Sequence, residues 1–509
     1  MIKDWLKNMA ERVFGGKAVL VSAPPAEAEM ETEVRHREPS PDELVLGWAH
    51  AIDMETDKNI FQLKGMKQED RKAHFYVIGA SGTGKTRFLE YLIQQDIKNG
   101  QGFGVVDPHG DLIEDVKGWL LFAKYSLGKD LKKDVVLIEP TDPKKTVIFN
   151  PLEKIKGIEP YSQAKELVEA FQKIWEDSWG SRMEDILRTS LIALIESEMT
   201  LVELPKLLTD PLARKKILEN VENQDCLDRF EFYRTINPNK WREWVESTLN
   251  KVNAFLSDTR IRQMFSGKKS SFNLRQLIDS KKIILVNLDR GRLKGSADLL
   301  GSLLLSKIQM AAFSRTDTLE GKRVPFYLYI DEFQNFATQN FIETLSQARK
   351  YKLSLILAHQ NLSQLPPELR GSLLANCAIQ ACFRVSRDDA SIMAKELMTP
   401  LYTQPPGWEP NVQTLQDLPT RGCFIKNKHE GGVVMVQTPE VPMPWELAKE
   451  AEGELGEITE EGFQRSVKQA KIGAGYLKSR KKIEKEHQER RESLKASPEP
   501  ESFREKKKK

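Results

Sequence analysis

The residues Gly79-Ala-Ser-Gly-Thr-Gly84-Lys85-Thr86 follow the pattern G-x4-G-K-T, which can bind a chain of phosphates. Its glycines let backbone N–H groups curl around phosphate oxygens, and a helix starting here adds the positive end of its dipole. A lysine at this position neutralises phosphate charge, and a threonine hydroxyl can ligate Mg²⁺. The pattern predicts an ATP and Mg²⁺ site made of Gly79, Ala80, Ser81, Gly82, Thr83, Gly84, Lys85 and Thr86.

A second chemical signal is a pair of adjacent carboxylates, Asp331 and Glu332, at the end of the apolar run Phe326–Ile330. Side chains of successive residues diverge at a strand end, so the two carboxylates can take different roles. We expect Asp331 to hold the Mg²⁺ shell and Glu332 to polarise the attacking water as a catalytic residue. Many strands end in an acidic residue, so the pair alone is a weak signal. It indicates hydrolysis only because the same sequence also contains a phosphate loop.

Two further residues, which lie downstream of the acidic pair, are candidates for a catalytic role. Arg349 ends a predicted helix over 341–350, and Gln360 ends the predicted strand LSLILAHQ. In ring-shaped ATPases an arginine can reach the γ-phosphate on a neighbouring subunit. A polar residue such as Gln360 can sense that phosphate if its strand lies beside the strand that leads to Asp331 and Glu332. From the residues alone, a surface salt bridge or a cation at a helix C-terminus is the favoured interpretation of Arg349.

The elements that must position these residues alternate between short apolar runs and helical patterns. The run before the phosphate loop is HFYVIG, and the helix after it has an apolar face that ends before Gly100. The remaining strand-like runs are Phe103–Val106, Val135–Ile138, Ile283–Leu288, Phe326–Ile330, Leu353–Ala358 and Ala378–Val385. Strands that are apolar throughout and alternate with helices predict an α/β protein with a mostly parallel sheet.

One interval breaks the alternation and sets the domain organisation. Between 159 and 280 the sequence has helical periodicity, as in Ile186, Leu187, Leu191, Leu194 and Ile195, without a convincing strand. We therefore expect four parts: a lead-in over 1–42, an ATPase domain over 43–158 and 281–440, an all-α insertion over 159–280, and a charged tail over 441–509. A solvated or disordered tail is favoured over a nucleic-acid arm.

Composition limits the function classes. The 509 residues carry a net charge of only +3, so a nucleic-acid site has to be a local patch. The four cysteines form no C-x-x-C pair, which indicates thiols in a reducing compartment. No run approaches the roughly 20 apolar residues that span a bilayer. We expect a cytoplasmic protein without direct transmembrane insertion, which reaches the inner face of a membrane only through partners.

Several other residues keep two interpretations. The stretch Asp107-Pro-His109-Gly-Asp111 either shapes the phosphate site or is an ordinary turn. Arg71 and His74 precede the phosphate-loop strand, and a structural role is favoured over nucleotide contact. Basic residues that could contact a nucleic acid, or simply be solvated, are Arg290, Arg292, Lys294, Lys268 and Lys269.

The combination of motifs resembles a known family. The segments EDRKAHFYVIGASGTGKT, GFGVVDPHGDL, YLYIDEFQNFA, ETLSQARKYKLSLILAHQNLSQL and CFRVSRDDA occur in one order between about residues 44 and 437. They resemble the type IV secretion coupling proteins of the TraG/TraD group, conjugative DNA-transfer ATPases related to the HerA/FtsK translocases.

The resemblance implies a homo-hexameric ring of RecA-like P-loop NTPase domains with DNA, taken to be single-stranded, in the pore. It assigns Lys85 and Thr86 to nucleotide and magnesium, Asp331 and Glu332 to the acidic pair, and Gln360 to the post-strand glutamine. Arg349 falls where the family has an arginine that reaches a neighbour's nucleotide. Relaxase and secretion-channel proteins are the implied partners. Coupling proteins usually carry N-terminal membrane helices, and the sequence departs from that pattern because we expect no such helix in it.

Three functions follow for comparison. The first is an ATP-driven DNA translocase that couples conjugative transfer to type IV secretion. The second is a HerA-like ATPase that processes DNA or secretes protein. The third is a non-catalytic receptor that uses ATP as a switch to recruit relaxase or effector proteins. Strong stimulation of ATP hydrolysis by DNA favours the first, and tight retention of ATP without stimulation favours the third.

Overall fold

The computed structural model of the chain describes residues 33–35, 39–40, 42–52, 59–126, 130–398, 408–441 and 460–494. It divides into two compact units. The first, here called the sheet unit, consists of Met1–Leu137, Arg275–Asp289 and Arg315–Gly475. The second, here called the helical unit, consists of Ile138–Leu274, Arg290–Ser314 and Tyr476–Lys509. Most of the predicted lead-in 1–42 and much of the predicted tail lie outside the described residues.

The strands, in chain order, are β1 Glu33–Arg35, β2 Glu43–Ile52, β3 Asn59–Lys67, β4 Phe75–Ile78, β5 Gly102–Asp107, β6 Val135–Ile138, β7 Lys145–Thr146, β8 Ile283–Asn287, β9 Phe326–Ile330, β10 Leu353–His359, β11 Ile379–Cys382, β12 Gly422–Asn427, β13 Val433–Gln437 and β14 Lys478–Ser479.

The α-helices are α1 Lys85–Lys98, α2 Asp111–Ser126, α3 Pro160–Ile174, α4 Ser181–Glu196, α5 Leu204–Thr209, α6 Pro211–Leu218, α7 Gln224–Thr235, α8 Pro238–Ser257, α9 Thr259–Phe265, α10 Leu274–Asp279, α11 Arg290–Leu293, α12 Gly295–Phe313, α13 Phe341–Gln347, α14 Pro367–Asn376, α15 Arg387–Met398, α16 Glu409–Gln416, α17 Glu460–Gln469 and α18 Arg480–Ser493.

A sheet of twelve strands, in the order β1-β3-β2-β13-β12-β11-β4-β10-β9-β5-β8-β6, organises the sheet unit. The central strands from β11 to β8 pair in parallel. Every residue of these six strands is buried. Complete burial explains their continuous apolar runs, because both faces of the sheet are covered. The prediction of an α/β protein with a mostly parallel sheet is confirmed.

Two predicted boundaries differ from the structure. The run 378–385 was expected to be strand throughout, but β11 covers only Ile379–Cys382. The helix expected over 341–350 ends at Gln347 and continues as a 3₁₀ turn over Ala348–Tyr351. Apolar residues beyond a strand end remain buried in the adjoining loops, so hydrophobicity alone overestimates strand length.

A buried ion pair fastens the P-loop helix α1 to the sheet. Arg71 binds both carboxylate oxygens of Asp96, at 2.6 and 2.9 Å, and its guanidinium also reaches the hydroxyl of Tyr329 at 2.6 Å. Arg71 and Asp96 are 1% and 0% exposed. Burial acts to lower the pKa of Arg71, but the charge of Asp96 and the tyrosines outweigh it, so the pKa is raised. Arg71 is therefore structural, since breaking such a pair leaves a buried charge unpaired.

The described residues between Pro160 and Phe265 in the helical unit are helices joined by short turns, without a strand. The predicted apolar face of Ile186, Leu187, Leu191, Leu194 and Ile195 is fully buried on α4. The helical unit also includes 138–158 and 290–314, which the predicted limits of 159–280 left out. Those limits remain a prediction.

The C-terminal helix α18 belongs to the helical unit and contacts other segments of it. Arg480 is 8% exposed and donates to the carbonyl oxygens of Pro140 at 2.6 Å and Asp142 at 2.8 Å. Arg490 binds Glu203 at 2.8 Å. These partners lie far away in sequence, in a loop and a 3₁₀ turn, and a local charge pattern cannot reveal them. Arg480 and Arg490 are therefore held by other segments, whereas most residues of α18 are exposed, and the charged tail remains a prediction.

Among the residues whose positions are described, no helix combines the length and the apolar character needed to cross a membrane.

Candidate functional site: a phosphate loop facing an acidic pair

The candidate site lies where four neighbouring parallel strands end. In the sheet, β4, β10, β9 and β5 are adjacent in that order. The predicted phosphate loop follows β4, Gln360 follows β10, the acidic pair follows β9, and the Asp107-Pro-His109 stretch ends β5 and leaves it. Since the carboxyl ends of parallel strands share one edge, the topology collects these separate motifs at one place, which is where α/β proteins bind ligands.

Glycines shape the phosphate loop at two points. Gly84 has φ +110°, in the left-handed region, and precedes the first residue of α1. At Gly79 a Cβ would lie 2.6 Å from the Cβ of Phe383, so a larger residue cannot pass close to the end of β11. Both requirements select glycine at these positions. The loop therefore delivers the N-terminus of α1 to the sheet edge.

Lys85 begins α1 and folds back over the loop. Its ammonium donates to the carbonyl oxygen of Ala80 at 2.9 Å, and the hydroxyl of Thr83 donates to the same oxygen at 2.8 Å. Lys85 is 7% exposed. Burial lowers the pKa of Lys85, while the charges of Asp331 and Glu332 act to raise it. The Lys85 ammonium is thus buried against the phosphate loop.

The phosphate loop and the acidic pair are in direct contact. The hydroxyl of Thr86 donates to Asp331 Oδ2 at 3.1 Å, across 245 residues of sequence. Burial raises the pKa of Asp331 to about 6, with Asp107 and Glu332 adding to the effect and the bond from Thr86 opposing it. The two oxygen-bearing side chains predicted to meet Mg²⁺ are therefore neighbours.

The backbone turns sharply at Glu332. Its φ is +48°, a left-handed conformation that costs free energy in a residue with a side chain. Glu332 Oε1 accepts from the amide nitrogen of Gln360 at 2.7 Å, and Oε2 lies 3.4 Å from both His109 Nε2 and Asn335 Nδ2. The carboxylate is fixed from three directions by residues of three different loops.

The stretch after β5 gains a specific place in this site. Asp107 is 2% exposed, and its carboxylate accepts from the backbone amides of His109 at 2.8 Å and Ile113 at 3.3 Å. Burial raises the pKa of Asp107, and these amides act against the rise. Asp107 shapes the loop, and the loop holds His109 beside Glu332. Sequence reasoning left this stretch undecided between the site and an ordinary turn.

Two arginines border the phosphate loop and were not among the sequence candidates for it. The carbonyl of Arg384 accepts from the amide of Ala80 at 2.8 Å, and the amide of Arg421 donates to the carbonyl of Thr83 at 2.9 Å. Arg384 lies in the CFRVSRDDA segment, just after the end of the strand β11. Its position just after a strand was the sequence feature that could have indicated a place near the site. No local sequence feature identifies Arg421 as a neighbour of the phosphate loop, because its partner Thr83 is more than 300 positions away.

Arg349 is not part of this edge of the sheet. It lies in the 3₁₀ turn that precedes β10, at the amino end of a strand of seven residues. At about 3.3 Å per residue the strand separates Arg349 from the edge with Gln360 by roughly 20 Å. The Arg349 side chain is exposed, and it makes no hydrogen bond or ion pair within the described ranges.

The turn that carries Arg349 is nevertheless held firmly. Arg315, which is 0% exposed, donates to the carbonyl of Tyr351 at 2.7 Å. Arg323 donates to the carbonyl of Lys350 at 2.6 Å, and its guanidinium lies 5.0 Å from the centre of the Tyr351 ring. The backbone of this turn is therefore fixed, while the Arg349 side chain on it is exposed.

The predicted nucleic-acid contacts fall in the helical unit. Arg290 pairs with Asp298 at 2.9 Å, which leaves less positive charge at that turn than the sequence suggests. Arg292, Lys294, Lys268 and Lys269 are exposed.

Comparison with known proteins places the sequence and the fold. A family model described as type IV secretory system conjugative DNA transfer matches residues 48–397, well over half of the chain. The bacterial conjugative coupling protein TrwB is similar in structure, with TM-score 0.52 and 16% identity over 74% of this chain and 88% of that one. VirB4 of Thermoanaerobacter pseudethanolicus is similar at TM-score 0.51 and 15% identity, over 79% of this chain and 97% of that one.

TrwB has also been solved in complex with ADP and Mg²⁺, and that structure is similar to this chain at TM-score 0.51 and 16% identity, over 74% of this chain and 88% of that one. No curated protein matches the sequence significantly. The family match covers the phosphate loop, the acidic pair, Arg349 and Gln360 in one span. The chain belongs to the type IV secretory system conjugative DNA transfer family.

Proposed function

We propose that this chain is an ATPase that moves DNA, and that it serves as a coupling protein for conjugative transfer through type IV secretion. The observation that carries the proposal is the contact between Thr86 and Asp331 at 3.1 Å, with Lys85 and Glu332 on either side. Family membership supplies DNA as the substrate to be moved. ATP and Mg²⁺ are the proposed cofactors.

The residues present fit a magnesium ion. Mg²⁺ prefers oxygen ligands and is usually held by one or two carboxylates together with phosphate oxygens and water. Thr86 and Asp331 offer such oxygens at the N-terminus of α1, and no group of three or more His, Cys, Asp and Glu that could form a closed metal site occurs in the described part of the chain. The bound ion would neutralise charge on the phosphates during their cleavage.

The remaining side chains divide the chemistry of hydrolysis. Lys85 neutralises negative charge on the terminal phosphates, for which its position inside the loop is suited. Glu332 accepts a proton from the attacking water, and Gln360 and His109 hold its two oxygens in place. A base fixed by several partners loses little entropy when the water binds.

Arg349 acts on a neighbouring subunit in this proposal. Its turn lies at the opposite edge of the sheet from the phosphate loop of the same chain, so it cannot complete its own site. A ring of identical subunits, a homo-hexamer as in the family resemblance, would bring each Arg349 to the next nucleotide. Hydrolysis would then depend on assembly.

The proposed partners are DNA, relaxase and secretion-channel proteins. Exposed cations such as Lys268 and Lys269 are suited to phosphates without sequence preference. Action at the inner face of a membrane, through those partners, is part of the same proposal and rests on family membership alone.

The test is hydrolysis of ATP by the purified chain with and without single- and double-stranded DNA. A translocase is expected to hydrolyse ATP faster with one of these substrates, and Mg²⁺ chelation is expected to stop turnover. Tight ATP binding without turnover under any of these conditions would instead support the receptor that uses ATP as a switch.

A further inference from the structure

His74 has a backbone conformation that only glycine adopts readily. It lies immediately before β4 with φ 60° and ψ 151°, and it is 1% exposed. A side chain in this region strains the backbone, and such strain persists only where surrounding contacts impose it. The contacts of the imidazole ring supply that reason.

Both ring nitrogens of His74 are occupied. Nδ1 accepts from the backbone amide of Leu355 in β10 at 3.0 Å, and Nε2 lies 3.1 Å from the carbonyl oxygen of Leu345 in α13. An amide N–H can only donate and a carbonyl can only accept, so Nδ1 is unprotonated and Nε2 carries the hydrogen. Burial lowers the pKa of His74 to about 4, with a contribution from the charge of Arg349, so the ring is neutral near pH 7.

The two contacts of the His74 ring connect the strand that precedes the phosphate loop with the helix that precedes Arg349. From His74 the four residues of β4 lead straight to Gly79 of the phosphate loop. From Leu345 one helical turn leads to Arg349. The amide of Ile379 in β11 also donates to the carbonyl of His74 at 3.3 Å, so the junction is fixed to the sheet on a further side.

We propose that His74 is a positioning residue for Arg349. Through Nε2 it holds the carbonyl of Leu345, and so it fixes α13 and the following turn in the orientation that presents Arg349 to a neighbouring subunit. The inference rests on the proposed function, because it assumes that Arg349 acts in trans. A buried imidazole needs partners for both nitrogens in any role, and here one of these partners is the helix that leads to Arg349.

The geometry of amide side chains separates these possibilities. Asparagine places its oxygen near the position of Nδ1, so His74→Asn keeps an acceptor for Leu355 and loses the donor to Leu345. Glutamine places its nitrogen near the position of Nε2, so His74→Gln keeps the link to α13. His74→Gly relieves the backbone strain and removes both links, which provides a second variant without the donor.

The experiment measures DNA-stimulated ATP hydrolysis, binding of a fluorescent ATP analogue and thermal unfolding for these three variants. His74→Asn and His74→Gly are expected to bind the analogue like the wild type but to turn over about 10- to 100-fold more slowly, the range expected for a displaced catalytic group. His74→Gln is expected to stay near wild-type turnover. Adding either change to Arg349→Ala should cause no further loss, because both remove the same interaction.

Mixing experiments identify where the defect acts. Subunits with Lys85→Ala keep Arg349 but cannot use their own site, so they should restore turnover to His74→Asn subunits in mixed assemblies. If Arg349→Ala is restored in this way and His74→Asn is not, or if His74→Asn and His74→Gly both turn over like the wild type, His74 does not position Arg349. If Arg349→Ala itself turns over normally, the trans role in the proposed function is wrong instead.

Discussion

The two edges of the central sheet differ in how they hold their polar residues. At the carboxyl edge, Lys85, Thr86, Asp331, Glu332 and Gln360 contact one another or the loop between them. At the amino edge, the turn with Arg349 is fastened through its backbone, and its side chain is exposed. The polar residues of the first edge are partners of one another, whereas the Arg349 side chain at the second edge is directed outward without a partner among the described residues.

In the proposed function this difference would divide binding from activation. The carboxyl edge would hold the nucleotide and the cation within one chain. The amino edge adds nothing to that site, since about 20 Å of strand lies between them. Variants of the two edges should therefore differ in nucleotide binding and in their response to mixing, and the predictions below use both measurements.

The largest effect is expected for Lys85→Ala. Removing the ammonium leaves phosphate charge without its counter-ion inside a buried loop, so ATP hydrolysis should fall to background and nucleotide affinity should fall with it. Steady-state turnover and fluorescence titration measure the two. Lys98→Ala, at the exposed end of the same helix, is the matched control and should retain both. Normal turnover by Lys85→Ala would contradict the proposal that the phosphate loop binds the ATP that is hydrolysed.

Arg349→Ala is expected to lower turnover by roughly 10³-fold, at the lower end of what arginine fingers contribute, with unchanged nucleotide binding. Mixing with Lys85→Ala subunits should raise the rate above the sum of the two preparations. Lys350→Ala, the exposed neighbour in the same turn, serves as the control. A loss that mixing cannot relieve would mean that Arg349 acts within its own chain or on folding.

Glu332→Gln should bind the nucleotide normally and lower turnover by about 10²-fold, because the amide keeps the shape of the carboxylate but cannot accept the proton of water. Single-turnover measurement separates the chemical step from product release. Glu343→Gln, an exposed glutamate on α13, is the control. Turnover within twofold of the wild type would assign the base to another residue.

Gln360→Ala is expected to have the smallest effect, roughly a tenfold loss of turnover, because it removes one hydrogen bond at 2.7 Å to a charged carboxylate. Nucleotide affinity should not change. Gln364→Ala, four residues further on and exposed, provides the comparison. If Gln360→Ala also weakens nucleotide binding, Gln360 contacts the nucleotide directly instead of orienting Glu332.

The sequence was most informative where chemistry and local structure coincide. A buried strand, a glycine-rich turn and an amphipathic helix surround Lys85, and these predicted the elements on both sides of the loop. The strand Phe326–Ile330, which Asp331 follows, was equally clear. The contact of Thr86 with Asp331 followed from topology, because strands that alternate with helices in one parallel sheet end at a common edge.

Long-range contacts were beyond what the sequence could predict. The left-handed backbone at Glu332 depends on Gln360 and His109, which come from other loops. Arg480 seemed part of a solvated charge run, yet it donates to carbonyls about 340 positions away. The strained His74 also has no local signature, since its partners Leu345 and Leu355 are fixed only by folding.

The central claim is that one Mg·ATP lies between the phosphate loop and the acidic pair and is completed by the arginine of a neighbouring subunit. Electron microscopy of the chain with DNA, Mg²⁺ and a non-hydrolysable ATP analogue tests it most directly. The account predicts Thr86 and Asp331 beside one cation, Glu332 facing the terminal phosphate, and Arg349 from the adjacent subunit at that phosphate. A nucleotide bound elsewhere, or Arg349 directed into solvent in every assembled subunit, would contradict it.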